Sequence, residues 1–167
     1  MAHAGVSVQS SPLAGLGVFA SRAFAKDELI GYYIGEVLDA RAFDARYPAT
    51  EGGDLPSYCY ALRGRPNLLV IDARDPLLSS WARYINSPHG TKLRANVRWG
   101  KHIYGPSDTD ARVEVRAAVS IAKDSELLIS YGRGYAWGEK QTTFVEGGGG
   151  GGASAGTPPT TRENTGD

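Results

Sequence analysis

The sequence predicts a mainly-β domain, and three features carry that expectation. Short runs rich in β-branched and aromatic residues recur along the chain, each stopped by glycine, proline or a polar cluster. The links between them are too short for the helix of a parallel βαβ unit. Only one segment has the make-up of a helix of several turns, and no internal repeat is present.

Val6-Ser7-Val8 reads as the first strand, stopped at Ser10-Ser11-Pro12. Ala14-Gly15-Leu16-Gly17-Val18-Phe19-Ala20 is a glycine-rich turn that enters a second apolar strand. After the polar break Lys26-Asp27-Glu28, a third runs over 29–34 and leads into Gly35-Glu36-Val37. Residues 39–47 make the helix, with Asp39 able to cap it and Pro48 ending it. Two strands follow, 58–62 and 68–71, joined by the turn-forming Arg63-Gly64-Arg65-Pro66-Asn67. Residues 77–85 allow one or two helical turns, and further strands are expected at 95–99, 102–104, 112–118 and 127–130. The last of these stops at a turn built on Gly132 and Gly134, so Tyr131 sits at an edge where its hydroxyl can be aimed. Tyr131, Tyr135 and Trp137 close this region as an aromatic group.

The chain has 167 residues, which predicts one domain over 1–146. Residues 147–167 open with an unbroken glycine block and continue as a Pro/Thr-rich polar tail, a composition that buries nothing and is expected to be disordered. Basic and acidic residues balance at 18 each, which argues against holding nucleic acid by bulk charge. Cys59 is the one cysteine, so neither an internal disulfide nor a cysteine-based zinc cluster is available. Neither a signal peptide nor an apolar stretch of membrane-spanning length is present, so a soluble, intracellular protein with no membrane partner is expected.

Several chemistries fit poorly. Gly15-Leu16-Gly17-Val18-Phe19-Ala20 has the small-residue spacing of a dinucleotide fingerprint, with Glu36 near a ribose-binding position, but no helix and no βαβ series follow. Cys59 alternates with Tyr58 and Tyr60 as a strand residue, with no base nearby in sequence. His3, His89 and His102 lack metal-ligand spacing and read as surface or turn residues; no metal site is expected. No serine stands in a nucleophile-elbow pattern. Asn86, in Trp81-Ala82-Arg83-Tyr84-Ile85-Asn86-Ser87-Pro88, reads on its own as a turn residue.

Taken in order, however, these stretches resemble a SET domain, the protein-lysine methyltransferase family. Gly15 to Ala20 is similar to its first glycine turn, Tyr33-Ile34-Gly35-Glu36-Val37 to its Tyr-x-Gly-Glu segment, and Ile71-Asp72-Ala73 to the Ile-Asp-Ala before its signature loop. Arg83-Tyr84-Ile85-Asn86 resembles the Arg-Phe-Ile-Asn loop, Asn96 its later asparagine, and Glu126 to Gly132 the Glu-Leu-Thr-x-Asp-Tyr-Gly signature. The likeness covers roughly 5–137, and the size and ending are like those of compact viral members. Three departures stand out: Ser87-Pro88-His89 replaces His-Ser-Cys after the loop asparagine, Ala95 replaces the proline before Asn96, and the loop between Asn86 and Asn96 is longer than the common spacing.

The resemblance implies a β-clip arrangement of several small sheets with short helices and a knot-like C-terminal crossing that brings Asn86 and Tyr131 together. It implies methyl transfer from S-adenosyl-L-methionine to a lysine amine, with Tyr131 as the catalytic hydroxyl and Tyr33 opposite it. Gly15, Leu16, Gly17, Arg83, Asn86, Ser87 and Tyr131 would hold the cofactor; Tyr33, Trp99, Tyr135 and Trp137 would line the lysine channel. The expected partner is a lysine-bearing protein or peptide, such as a histone tail, met by acids at Glu36, Asp39, Asp44, Glu51 and Asp54. Oligomeric state stays open, a homodimer included, and location would be nuclear in a eukaryotic host and cytoplasmic otherwise. Two alternatives stand beside this reading: a SET-like module that binds a peptide or partner without catalysis, and a small β protein of another kind. Cofactor binding separates the enzyme from the second, and methyl transfer separates it from the first.

Overall fold

The computed structural model describes residues 5–48, 55–62 and 68–132. Its strands are short and all pair antiparallel, in three small sheets. Strands β1 (Val6–Ser10) and β2 (Leu16–Ala20) form a hairpin around the glycine turn. A second sheet has β3 (Leu29–Tyr33) beside β8 (Arg112–Ala117), which in turn pairs with β7 (Val97–Ile103). The third places β6 (Leu69–Asp72) between β4 (Glu36–Asp39) and β5 (Cys59–Leu62).

The helix α1 (Ala40–Arg46) starts where expected, with the Asp39 carboxylate accepting the Ala42 amide at 2.7 Å. The run expected over 77–85 is helical only as a 3-10 turn, Trp81–Tyr84, capped by Ser80. A second such turn, Asp108–Asp110, gave no signal in the sequence.

Three expectations are corrected by the tertiary structure. The apolar run after Lys26 is two strands in different sheets, broken at Ile34-Gly35. A Cβ at Gly35 would lie 2.3 Å from the Asp72 carbonyl oxygen, so the backbones approach there as only glycine allows. The two strands expected at 95–99 and 102–104 are one, β7, with a bulge between Trp99 and His102. Residues 127–130 belong to no sheet ladder; they run as an extended segment touching β2 and the loop at Asn86 through isolated bridges at Glu126 and Leu128.

Leu127 and Ile129 from that segment are nonetheless among the most buried side chains, alongside Val18, Ile71, Val113 and Val115 from the sheets. Burying one such side chain stabilises by roughly 1.5–3 kcal/mol, so the segment is held by packing as well as by hydrogen bonds. A satellite cluster of Leu38, Phe43, Tyr47 and Val70 lies under α1. Beside it Asp72 accepts the Tyr47 hydroxyl at 2.7 Å, Arg46 at 3.0 Å and the Arg74 amide at 2.9 Å.

The β7 bulge has its own lock. A Cβ at Gly100 would come within 2.7 Å of Glu114 Oε2. That buried carboxylate accepts the Lys101 amide at 3.1 Å and the Arg116 guanidinium at 2.7 Å. Hydrogen bonding from Arg116, then from the Lys101 amide, holds the Glu114 carboxyl down at about 2 from an ordinary 4.5. The unfolded chain therefore binds a proton that the folded chain refuses, and stability from this group is complete above pH 4.5 and is lost as pH falls toward 2. Glu114→Gln is expected to lower the urea midpoint at pH 7 and to flatten its fall between pH 4.5 and 2. An unchanged acid profile would show that the carboxylate does not hold the bulge.

Candidate active site

The site is organised by the crossing of residues 126–131 over three distant segments. The Leu127 amide donates to Val18 O at 2.7 Å, and the Ile129 amide to Asn86 O at 3.0 Å. Between them, Asn96 takes Leu128 from both sides: its Oδ1 accepts the Leu128 amide at 2.8 Å, while its own amide donates to Leu128 O at 3.0 Å. Asn96 Nδ2 also donates to Glu126 O at 2.7 Å. A segment whose amides point to separate partners cannot be a ladder strand, although its composition is that of one.

Asn86 is buried and its carboxamide nitrogen faces three acceptors: Ala14 O at 3.2 Å, Leu16 O at 3.1 Å and Glu126 Oε1 at 3.0 Å. Ser11 Oγ donates to the same carboxylate oxygen at 2.8 Å. The signature loop, the glycine turn and the crossing segment thus meet at one polar hub. The two glycines of the turn have different reasons. Gly15 has φ +46 and open space where a Cβ would be, whereas a Cβ at Gly17 would strike Glu126 Oε1 at 2.3 Å. Gly17 makes room for the carboxylate, and Gly15 supplies the positive φ of an exposed turn.

Beside the hub, Tyr131 donates its hydroxyl to Ile85 O at 2.8 Å. Tyr33, buried, donates to Tyr58 O at 2.6 Å. Burial first, then the neighbouring Cys59 and Tyr131, pushes the Tyr33 hydroxyl well above its ordinary value, so it stays a neutral donor. Tyr58 has φ +67, a conformation that side chains rarely adopt, and its carbonyl also accepts the Ala73 amide at 3.0 Å. Arg83 fixes this turn: its guanidinium donates to Ala73 O and Arg74 O at 2.8 and 2.9 Å and lies over the rings of Tyr58 and Tyr84.

Tyr33, Tyr60 and Trp99 form one aromatic cluster. Tyr60 and Trp99 meet edge to face at 4.9 Å, Tyr33 and Trp99 at 5.4 Å, and Tyr33 and Tyr60 at 6.2 Å. His102 joins it against Tyr60 at 5.7 Å, half-buried, where the sequence suggested a surface or turn histidine. The β7 bulge is the reason, since a regular strand would turn His102 away from the face that carries Trp99.

The structure thus brings together Tyr131, Tyr33, Gly15, Leu16, Gly17, Asn86 and Trp99, with Ser87 next to the hub. Arg83 stands at the turn beneath Tyr58, its guanidinium committed to protein carbonyls. Tyr135 and Trp137 lie outside the described residues, as do Glu51 and Asp54. Tyr60, Ser11 and the role of Glu126 carried no individual signal in the sequence. The Cys59 thiol is pushed up to about 12, chiefly by burial, which suits packing rather than nucleophilic attack. Among the described residues no cluster of His, Cys, Asp or Glu is arranged to hold a metal, and no helix is long and apolar enough to cross a membrane.

The SET domain family profile matches residues 15–132, well over half of the chain. The protein belongs to the SET-domain family. Among solved structures, the chain is similar to the methyltransferase domain of human PR domain-containing protein 2, with 19% identity, TM-score 0.55, and coverage of 77% of this chain and 78% of that one. A Plasmodium falciparum protein described as a candidate histone methyltransferase has 22% identity and TM-score 0.52, covering 80% of this chain and 96% of that one. No curated protein sequence matches significantly. Family and fold together support a methyltransferase-type function.

The hub predicts a coupled pair. Gly17→Ala is expected to destabilise by about 1–3 kcal/mol through the clash with Glu126. In a Glu126→Ala background the same change should cost markedly less, measured as a non-additive shift in urea midpoint. Equal costs in both backgrounds would show that Gly17 is not there to admit the carboxylate.

Proposed function

We propose that this chain is a protein-lysine N-methyltransferase that uses S-adenosyl-L-methionine. The carrying observation is the meeting of the Tyr131 hydroxyl, fixed on Ile85 O, with the aromatic cluster and the glycine-turn hub at Asn86. The exposed turn at Gly15, with a positive φ that favours glycine and nothing packed against it, leaves backbone open to the amino-acid end of the cofactor. Asn86 ties that turn to its own loop through Ala14 O and Leu16 O, Gly17 admits the Glu126 carboxylate behind it, and Ser87 and Tyr131 complete the set of residues proposed to hold the cofactor. Arg83 contributes indirectly, by fixing the turn whose Tyr58 carbonyl receives the Tyr33 hydroxyl. When bound, the cofactor supplies an electrophilic methyl group.

The protein's own part is to deliver a neutral amine in line with that methyl. A lysine with a reference pKa near 10.4 must lose about 4 kcal/mol worth of protonation at pH 7.5. Desolvation by Tyr33, Tyr60 and Trp99 favours the free amine without a strong base. Tyr33 is held neutral, so it adds no anion that would stabilise the ammonium form. The ring faces can still draw the cationic side chain to the channel mouth before it deprotonates.

The substrate is a lysine-bearing protein or peptide, with a histone tail as the first to try. Of the acids thought to meet a basic tail, Glu36 is paired with Arg46 at 2.7 Å and Asp39 caps α1. This favours recognition through the channel and backbone over a broad acidic groove. The reading as a silent binding module draws on Ser87-Pro88-His89, which stands after Asn86 where the family has His-Ser-Cys.

Mass spectrometry of a histone mixture incubated with the protein and S-adenosyl-L-methionine should reveal lysine methylation. Tyr131→Phe is expected to lower the rate on the order of 10²-fold with cofactor binding retained in a calorimeter. Cofactor binding without transfer would favour the binding module, and absence of both would overturn the proposal.

A further inference from the structure

The β7 bulge has a consequence for the cluster that the family reading does not supply. Trp99 pairs with Val115 and His102 with Val113, so three steps along β7 answer two along β8. The extra residue puts Trp99 and His102 on one face of the sheet, the face of the buried Val113 and Val115. Tyr33 also pairs with Val113, from the other side. Tyr33, Val113 and His102 therefore form one row across the sheet, with Gly31, Val115 and Trp99 as the next.

Gly31 leaves its place in that row to the Trp81 ring, whose Cζ2 would lie 2.6 Å from a Cβ. Onto the same face comes Tyr60 from the other sheet, its hydroxyl 3.1 Å from His102 Nε2. A phenol hydroxyl rotates about its C–O bond, and its lone pairs turn with it. An imidazole nitrogen at hydrogen-bond distance stops that rotation.

We propose that His102 is a positioning residue: its Nε2 accepts the Tyr60 hydroxyl proton, leaving the Tyr60 oxygen lone pairs turned toward the amine of a lysine beside Tyr33 and Trp99. The Tyr60 oxygen then accepts an amine N–H, which fixes the direction of the nitrogen lone pair used in attack. This role rests on the methyltransferase reading. The hydrogen bond itself does not. The bulge supplies the reach, and the Glu114 lock keeps the bulge in register.

Two measurements on the full chain test it. Nitrogen-15 NMR of the imidazole is expected to find His102 with Nε2 unprotonated and Nδ1 carrying the proton, and Tyr60→Phe should move the Nε2 signal. An Nε2–H tautomer, or a signal indifferent to Tyr60→Phe, overturns the proposal whether or not the chain transfers methyl groups.

In steady-state assays on a methylated peptide substrate, His102→Leu and Tyr60→Phe should each lower kcat roughly fivefold to tenfold, with calorimetric cofactor affinity unchanged. The double variant should be no slower than either single one. His102→Gln, which offers an acceptor oxygen at nearly the same place, should recover most of the rate. Additive losses, or a Gln variant as slow as Leu, would overturn the positioning role. A wild-type chain with no transfer at all would instead count against the methyltransferase reading, and the NMR result would still decide the pair.

Discussion

The crossing of residues 126–129 over Val18, Asn86 and Asn96 is the constraint on which the rest of the molecule depends. It ties together positions as far apart as Ser11 and Glu126, separated by 115 residues. Closing such a loop has an entropic cost that grows only slowly with length, but it must be met before the contacts can form. The compensation comes from Leu127 and Ile129, which are carried into the core by the same strand-like stretch whose amides make the crossing. Packing and hydrogen bonding are thus inseparable here: each buried amide of the segment has a partner on a different part of the chain, and losing one would strand a buried polar group.

That arrangement explains why the polar hub is dense. Asn86 offers two N–H groups to three oxygens, and Glu126 Oε1 is shared between Asn86 and Ser11. An exposed hub would gain little from such crowding, because water would serve as well. In the interior the effective dielectric is lower and each bond is stronger, so the glycine turn is held at a fixed distance from the loop that carries Asn86. For the methyl transfer proposed above, that fixed distance would matter more than any single contact.

Much of this was legible in the sequence, for identifiable reasons. The glycine turn, the helix cap at Asp39 and the strands rich in valine and isoleucine follow from local propensity, and α1 begins where its cap predicted. Residues 127–130 misled because a strand and an extended crossing segment have the same composition and backbone; only their partners differ, and partners are not local. The break at Gly35 was written in the sequence as a glycine but not as a change of sheet, which depends on the close approach of Asp72. The ordered motifs pointed to Tyr33, Asn86 and Tyr131, and Trp99 was expected beside them only as an aromatic, while Tyr60 and His102 stayed hidden because they meet through two different sheets.

His102 shows most clearly where local reading stops. Counting two residues per repeat from Trp99 puts it on the opposite face, and that count is correct for a regular strand. What changes the answer is Gly100, which permits the backbone to come close to Glu114, and Glu114, whose carboxylate takes the Lys101 amide released from the ladder. Arg116, two residues along the same strand, then fixes that carboxylate. The side chain that reaches Tyr60 is therefore aimed by an ion pair that touches neither His102 nor Tyr60. Stability and site geometry share this one device: a change that loosens Glu114 removes a buried hydrogen-bonded charge and, by relaxing the bulge, turns His102 and Trp99 out of their common face.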